Sequence, residues 1–258
     1  MKNYNIGIDL GSRTSKIVVL HKDEIAFTHI SDSGVNPKEK SERLLQKAFK
    51  NLKISKEDVK SVFSTGYGRK VVPFADKRIS EISCHAKGVN FFFPKARTVI
   101  DIGGQDSKII LLNEFGKVLD FVMNDRCAAG TGKFLEVAAI TLETTVDELG
   151  IISRQSSKNV DINSTCVVFA ESEIIGLIAS EMEKADIVNG IHHSVAKRTK
   201  NLIARLNWQN DVIFTGGVAK NSGMQKTLSE MMNTTLSVPQ NPFITGALGA
   251  AIFAKESL

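Results

Sequence analysis

The 258-residue chain has few cysteines, few aromatic residues and no long apolar run. Its three cysteines are Cys84, Cys127 and Cys166. An odd number with no Cys-x-x-Cys pair argues against a disulfide framework, and one chain has too few thiolates for a metal site of four cysteine ligands. One Trp and two Tyr leave little surface on which nucleic-acid bases could stack.

No run of about 18 apolar residues is present, which argues against a membrane-spanning helix. The N-terminus lacks the apolar core of a secretory signal. We therefore expect a cytoplasmic protein that binds neither nucleic acid nor membrane. The remaining composition is that of a globular protein, with 42% hydrophobic and 24% charged residues. The net charge of +5 is a weak indication of an acidic partner, and the length predicts one or two domains.

Two segments share one pattern, in which an apolar run leads to an aspartate, an apolar residue, a glycine and a second apolar run. The first segment covers residues 4–20 with Asp9, and the second covers residues 98–112 with Asp101. Such an internal repeat predicts two related α/β halves. We expect further strands at 59–65 and 211–215, and helices at 39–52, 79–93, 130–143, 168–184, 187–207, 225–232 and 245–254.

Three glycine turns follow predicted strands, at Gly11–Lys16, Gly103–Gln105 and Gly216–Val218. Glycine lets the backbone approach a phosphate closely, and the aspartates ahead of the first two turns suit a hydrated Mg²⁺. A single turn of this kind is more typical of a plain hairpin than of a phosphate site. The matched pair together with the third turn favours a nucleotide site.

The stretch Gly130–Lys133 is similar to the end of a P-loop. A P-loop requires a glycine five residues before Gly132 and a Ser or Thr after the lysine. Those positions hold Cys127 and Phe134, so the stretch is not a Walker A motif.

The three turns resemble motifs of the actin, sugar-kinase and heat-shock-chaperone ATPase superfamily. Gly7–Lys16 is similar to its first phosphate motif, Ile100–Asp106 to its second and Phe214–Asn221 to its adenosine motif. The resemblance implies a two-lobed actin-like α/β fold with duplicated halves and ATP in the cleft between the lobes. It implies a first lobe over 1–95, a second over 96–244, and a C-terminal helix over 245–258 that packs back on the first lobe.

The same resemblance implies roles for individual residues. Asp9 and Asp101 would organise Mg²⁺ and water, and Gln105 would orient the attacking water, by analogy with other nucleotide hydrolases. The residues implied to bind ATP or ADP are Gly11, Ser12, Arg13, Thr14, Ser15, Lys16, Gly103 and Gly104 at the phosphates, and Gly216, Gly217, Val218 and Asn221 at the nucleoside.

Two cysteines lie ahead of predicted helices. Cys127 begins a glycine loop that leads into one helix, and Cys166 immediately precedes another. The N-terminus of a helix favours a thiolate or an anionic cluster, although buried inert thiols are the ordinary alternative. A [4Fe–4S] cluster needs four thiolates, and two chains of a homodimer would supply them.

Four stretches are similar to the activators of 2-hydroxyacyl-CoA dehydratases, a family that includes ATP-binding subunits of benzoyl-CoA reductases and reductases of double-cubane-cluster proteins. These stretches are residues 124–132, 164–173, 190–196 and 246–251. The resemblance implies that Cys127 and Cys166 of two subunits hold one [4Fe–4S] cluster at the dimer interface. Cys84 also lies in a family-like stretch, but a dimer has six cysteines and the cluster needs four, so we interpret Cys84 as a non-ligand. The family often has a Gln just before Gly246, whereas this chain has Pro242–Thr245, which leaves the adenine contacts of that segment open.

The function implied by this resemblance is ATP-dependent transfer of one electron at low potential. Reduced ferredoxin or flavodoxin would load the cluster, and the acceptor would be an iron–sulfur dehydratase or reductase. A sugar or small-acid kinase of the same superfamily is an alternative that would need a catalytic aspartate but not the two cysteines. A chaperone-like ATPase is another. The sequence does not distinguish between a dehydratase activator and a reductase of double-cubane proteins.

Overall fold

The computed structural model describes residues 3–162 and 166–257. Ser164 and Thr165 of the second cysteine motif lie outside these residues. Within them, ten β-strands and eight α-helices are present. The strands are β1 (Tyr4–Leu10), β2 (Thr14–His21), β3 (Glu24–Asp32), β4 (Val59–Thr65), β5 (Lys77–Arg78), β6 (Thr98–Ile102), β7 (Ser107–Leu112), β8 (Val118–Asn124), β9 (Val212–Thr215) and β10 (Leu236–Ser237). The helices are α1 (Pro37–Leu52), α2 (Glu81–Phe92), α3 (Gly132–Thr141), α4 (Val146–Ile152), α5 (Val167–Ala179), α6 (Lys184–Ile203), α7 (Ser222–Met232) and α8 (Thr245–Glu256).

The strands form two sheets of identical topology. The first has the order β3-β2-β1-β4-β5, and the second has the order β8-β7-β6-β9-β10. In each sheet the central strand pairs antiparallel with the following strand of its hairpin and parallel with the strand on its other side. The predicted duplication of α/β halves is therefore confirmed.

The chain divides into two compact units. Unit 1 comprises Met1–Ala96, Leu112–Leu119 and Gln240–Leu258, and unit 2 comprises Arg97–Leu111 and Asp120–Pro239. In unit 1, α1 covers one face of the sheet, and α8 packs against α2, β1, β2 and β4. In unit 2, α3 to α7 share one continuous apolar core with β6 and β9.

Helix α8 contacts its neighbours backbone to backbone, because it consists largely of glycine and alanine. A Cβ atom on Gly249 would lie 1.8 Å from the carbonyl oxygen of Cys84 in α2. A Cβ atom on Gly7 in β1 would lie 1.9 Å from the carbonyl oxygen of Ala247. The small residues of this helix therefore serve close packing on β1, the strand that carries Asp9.

The predicted helices and main strands are present, but the predicted ends of α5 and α6 were wrong. Helix α5 ends at Ala179 because Glu181 adopts a left-handed conformation with φ of +55°, and α6 begins at Lys184. The prediction missed strands β3 and β8, whose residues are mostly half-buried or exposed. Among the described residues, no helix is both long enough and apolar enough to cross a membrane.

Candidate functional site

The first hairpin carries a buried ion pair at the base of its turn. Asp9 and Lys16 are directly opposite each other on β1 and β2, and the Lys16 Nζ lies 3.1 Å from the Asp9 Oδ2. Both side chains are almost completely buried, with 8% and 12% of their surfaces exposed. The carboxylate predicted to organise Mg²⁺ therefore has an internal cationic partner on its own hairpin.

The second hairpin repeats this arrangement. Asp101 and Lys108 are opposite each other on β6 and β7, with the Lys108 Nζ 3.6 Å from the Asp101 Oδ2 and 2.7 Å from the Oδ1 of Asp106. All three side chains are buried. A buried charge is stable only when it is paired, and Lys108 is the cationic partner of both carboxylates at this turn.

A threonine and a glycine end the parallel neighbour of each central strand. Thr215 on β9 lies beside Asp101 and donates a 2.8 Å hydrogen bond to its Oδ1. Gly216 follows with φ of +85°, and a Cβ atom there would lie 2.3 Å from the carbonyl oxygen of Ile102. Only glycine fits such a position.

Sequence reasoning missed the counterpart of this turn in unit 1. Thr65 ends β4 beside Asp9, and Gly66 follows with φ of +87°, where a Cβ atom would lie 2.4 Å from the Asp9 Oδ1. Gly66 is therefore a further residue of the site. The signal was the Thr-Gly pair at the end of a strand, which both halves share.

The turn residues predicted to contact phosphate differ in exposure. Ser12, Arg13 and Gln105 are exposed at the tips of the hairpins. Ser15 is buried, with its hydroxyl 2.9 Å from the Ser33 Oγ, and Ser33 in turn donates to the carbonyl oxygen of Gly11. The remaining predicted residues are half-buried or buried, and these are Thr14, Gly103, Gly104, Gly217 and Val218.

Asn221 has a structural role in the described fold. Its Oδ1 accepts a 3.0 Å hydrogen bond from the amide of Met224 and so caps α7, and its Nδ2 lies 3.2 Å from the His192 Nε2. Burial, and to a smaller extent the charge of His193, lowers the pKa of His192 to about 4. Neutral His192 therefore accepts a hydrogen bond from the Asn221 Nδ2. This nitrogen carries a second N–H, so the nucleoside contact of Asn221 stays a prediction.

The stretch that is similar to a P-loop connects the second glycine turn to Cys127. The amides of Gly132 and Lys133 donate to the carbonyl oxygens of Gly103 and Gly104, at 2.9 and 2.8 Å. The hydroxyl of buried Thr131 lies 3.1 Å from the oxygen of Gly104 and 2.7 Å from that of Ala128. A shift of the glycine turn therefore acts directly on the loop that begins at Cys127.

Cys127 is exposed and held through its backbone. The Nδ2 of Asn124 donates to the carbonyl oxygen of Cys127 at 2.8 Å, and the Cys127 amide donates to the Asn124 Oδ1 at 3.2 Å. As predicted, the glycine loop that begins at Cys127 leads into a helix, through a 3-10 turn, Ala128–Gly130, to α3, which starts at Gly132. Cys127 itself lies outside α3. The helix-dipole argument therefore applies to Cys166 alone.

Cys166 is the exposed N-cap of α5, a helix with little covered surface. Only Ala170 and Ile174 are buried in this helix. Val168, Phe169, Ile175 and Ile178 are between 43% and 68% exposed. A helix that is apolar on nearly all sides is normally buried, so α5 presents a surface that requires a partner.

The donor set fits an iron–sulfur cluster shared by two chains. Burial raises the pKa of Cys84 to about 12, in spite of a hydrogen bond with Thr65, so Cys84 is a poor thiolate ligand. Cys127 and Cys166 are both exposed. Within residues 3–162 and 166–257, no cluster of three or more Cys, His, Asp or Glu side chains could hold a metal ion. One chain thus offers two suitable thiols, and a four-cysteine site needs a second chain.

Comparison with known proteins gives close relatives over nearly the whole chain. The model of the BadF/BadG/BcrA/BcrD ATPase family matches residues 6–254. A 2-hydroxyisocaproyl-CoA dehydratase activator of Clostridioides difficile is 49% identical over 98% of this chain and 95% of its own length.

Solved structures agree with this match. The structure of the activator of the 2-hydroxyisocaproyl-CoA dehydratase from Clostridium difficile with bound ADPNP has a TM-score of 0.92 at 48% identity, covering 98% of this chain and 96% of that one. Component A of the (R)-2-hydroxyglutaryl-CoA dehydratase of Acidaminococcus fermentans has a TM-score of 0.94 at 43% identity, covering 98% of both chains. The predicted actin-like ATPase fold is confirmed.

Proposed function

Because the chain belongs to the BadF/BadG/BcrA/BcrD ATPase family, we propose that it is an ATP-dependent activator that delivers single electrons to a partner iron–sulfur enzyme. The names of its relatives favour an acceptor of the 2-hydroxyacyl-CoA dehydratase kind, with benzoyl-CoA reductase-like and double-cubane proteins as related acceptors. The observation that carries the proposal is the pair of exposed cysteines, one of them hydrogen-bonded through its loop to a glycine turn.

In this proposal Mg-ATP and its product ADP bind at the two hairpin turns and at Gly216–Val218. A structure of a relative with bound ADPNP supports nucleotide binding. The exposure of Ser12, Arg13 and Gln105 at the tips of the hairpins supports a role for these side chains in contacting phosphate or water. Asp9 and Asp101 act on Mg²⁺ and its waters, and Lys16 and Lys108 fix the position of each carboxylate.

Cys127 and Cys166 of two copies would hold one [4Fe–4S] cluster. When bound, that cluster supplies one-electron redox chemistry. The exposed apolar surface of α5, which starts at Cys166, supports a homodimer around this site, since covering Val168, Phe169 and Ile175 removes apolar area from water.

The coupling of nucleotide to electron transfer runs through unit 2. Gly103 and Gly104 at the phosphate turn accept hydrogen bonds from Thr131, Gly132 and Lys133, which follow the Cys127 loop. Lowering a one-electron potential by about 100 mV takes about 2.3 kcal/mol. A nucleotide that binds two conformations of this turn with different affinity can supply that amount.

The test is iron and sulfide analysis of protein purified without oxygen. We expect wild-type protein to contain four irons per dimer. Cys127→Ser and Cys166→Ser should each lose the cluster, and Cys84→Ser, which changes a buried thiol of similar size, should retain it. Iron that is unchanged in Cys166→Ser would contradict the shared site.

The kinase alternative makes the opposite prediction. A sugar or small-acid kinase would use the same turns but would lack iron in every variant. Colourless wild-type protein that transfers phosphate to a small acceptor would favour the kinase.

A further inference from the structure

A cavity of about 490 Å³ opens beside Cys127 in unit 2. Three arginines line it, Arg126, Arg198 and Arg205, and among the described residues of its lining only Asp125 carries a carboxylate. The cavity thus carries an excess of positive charge next to a proposed cluster ligand.

The three arginines come from two separate segments. Arg126 belongs to the loop that ends in Cys127, Arg198 lies on α6, and Arg205 follows the end of that helix. The stem of Arg198 lies along the loop, 3.5 Å from the position that a Cβ atom on Gly130 would occupy, whereas Arg126 and Arg205 are exposed.

The dipole of α6 explains only part of this arrangement. Basic residues near the C-terminus of a helix interact favourably with its dipole, which accounts for the positions of Arg198 and Arg205. Arg126 lies on a different segment and still faces the same cavity. The positive charges of all three side chains attract an anionic ligand to the cavity.

The wall of the cavity is also the support of Cys127. Asn124 lines the cavity and holds the amide and the carbonyl of Cys127 with its side chain. A ligand in the cavity can therefore contact Asn124, the residue whose side chain makes both hydrogen bonds to the Cys127 backbone. Met123 and Leu202 add apolar contact area to the lining.

We propose that this cavity is the docking site of an acidic one-electron carrier protein, which places surface carboxylates against Arg126, Arg198 and Arg205. The inference rests on the proposed function, since such a carrier has to reach the cluster. Guanidinium groups bind carboxylates through two parallel hydrogen bonds. In the docked complex the carrier loses one electron and the cluster gains it.

The chemistry of the cavity fits a carrier better than a permanent partner. A permanent interface is large and apolar, as the exposed face of α5 is, whereas encounters for electron transfer are small. Complementary charge speeds such encounters without making them long-lived. The cavity is cationic and open to solvent, as a site for repeated brief docking requires.

The experiment measures the affinity of the intact protein for an oxidised two-cluster ferredoxin by calorimetric titration. The test variant is Arg126→Gln/Arg205→Gln, which changes two exposed residues and lowers the net charge by two. The matched control is Arg43→Gln/Arg78→Gln, which makes the same charge change at exposed arginines that do not line the cavity. The titrations are made at about 50 and at about 300 mM NaCl, because the higher salt concentration screens the attraction between exposed charges.

We expect the test variant to raise the dissociation constant at least about tenfold at low salt, and the control to raise it less than about twofold. The wild-type affinity should fall with salt more steeply than that of the test variant. Equal affinities of test variant and control would overturn the proposal, as would the absence of ferredoxin binding by wild-type protein.

Reduction by methyl viologen keeps this result separate from the proposed function. The reduced viologen is a small cation that does not need the arginines, so its rate should be the same in wild-type protein and in the test variant. Iron analysis and the viologen rate report whether the cluster is present and active. The titration alone reports whether the cavity binds the carrier.

Discussion

Asp9 and Lys16 form a buried ion pair across the first hairpin, with 3.1 Å between the Oδ2 and the Nζ. Asp101 and Lys108 repeat the pair at the same register of the second hairpin. Each hairpin turn therefore carries a buried carboxylate that is paired with a lysine of the same hairpin. This internal balance determines what substitutions at these positions will do.

Replacing Lys108 by methionine should strongly destabilise the protein. The substitution leaves Asp101 and Asp106 buried without their cation, and removing one partner of a buried pair costs about 3–5 kcal/mol. The change is measured as the shift of the urea midpoint. Lys226→Met, at an exposed lysine, should change stability by less than about 0.5 kcal/mol. Equal shifts in the two variants would show that Lys108 does not stabilise the turn.

Replacing Asp9 or Asp101 by alanine should impair ATP hydrolysis while the iron content stays at the wild-type level. The carboxylates lie in the hairpins, whereas the proposed cluster ligands lie on other segments. We expect turnover to fall at least about tenfold when Mg²⁺ is limiting, because a positioned carboxylate–metal contact is worth several kcal/mol. Wild-type turnover in either variant would remove that residue from the Mg²⁺ site.

The duplicated hairpins could be predicted from sequence, because a repeated Asp-Leu-Gly or Asp-Ile-Gly pattern at a strand end is a local signal. The pairing of Asp9 with Lys16 follows from the register of a short hairpin, so it could have been predicted from the sequence in the same way. Strand β8 was missed because its exposed face is as apolar as its inner one, with Leu119 and Phe121 exposed. No alternation marks such a strand.

Other features depend on tertiary structure. The cavity beside Cys127 combines Arg126 with Arg198 and Arg205, about 70 residues further along the chain. Only the packing of α6 against the Cys127 loop brings them together. The burial of Cys84 under α8 likewise depends on a helix that is distant in sequence.

His192 should make stability depend on pH. Its pKa is about 4 in the folded protein and about 6.5 in the unfolded chain, so the unfolded chain binds more protons between these values. The free energy of unfolding is therefore fully retained above pH 6.5 and should fall by roughly 3 kcal/mol as the pH drops to 4. His192→Gln should flatten this part of the curve, and His21→Gln should not. An unchanged slope in His192→Gln would assign the dependence to other groups.

Thr131 should be required for communication between nucleotide and cluster loop. Thr131→Val keeps the shape of the side chain but removes the hydroxyl that bonds Gly104 and Ala128 and caps α3, at a cost of about 1 kcal/mol in stability. The measurement is the rate of iron removal by a chelator with and without nucleotide. We expect the effect of nucleotide on this rate to shrink in Thr131→Val and to persist in Thr131→Ser. A full response in the valine variant would exclude this route.

The most direct test of the account is the rate at which a ferrous chelator removes iron from the protein in different nucleotide states. We expect the chelator to remove iron at least about fivefold faster with a non-hydrolysable Mg-ATP analogue than with Mg-ADP. The two nucleotides must differ in this way because a nucleotide shifts the loop only if it binds its two conformations unequally. Equal rates with the analogue, with ADP and without nucleotide would contradict the claim that ATP gates electron transfer through Cys127 and Cys166.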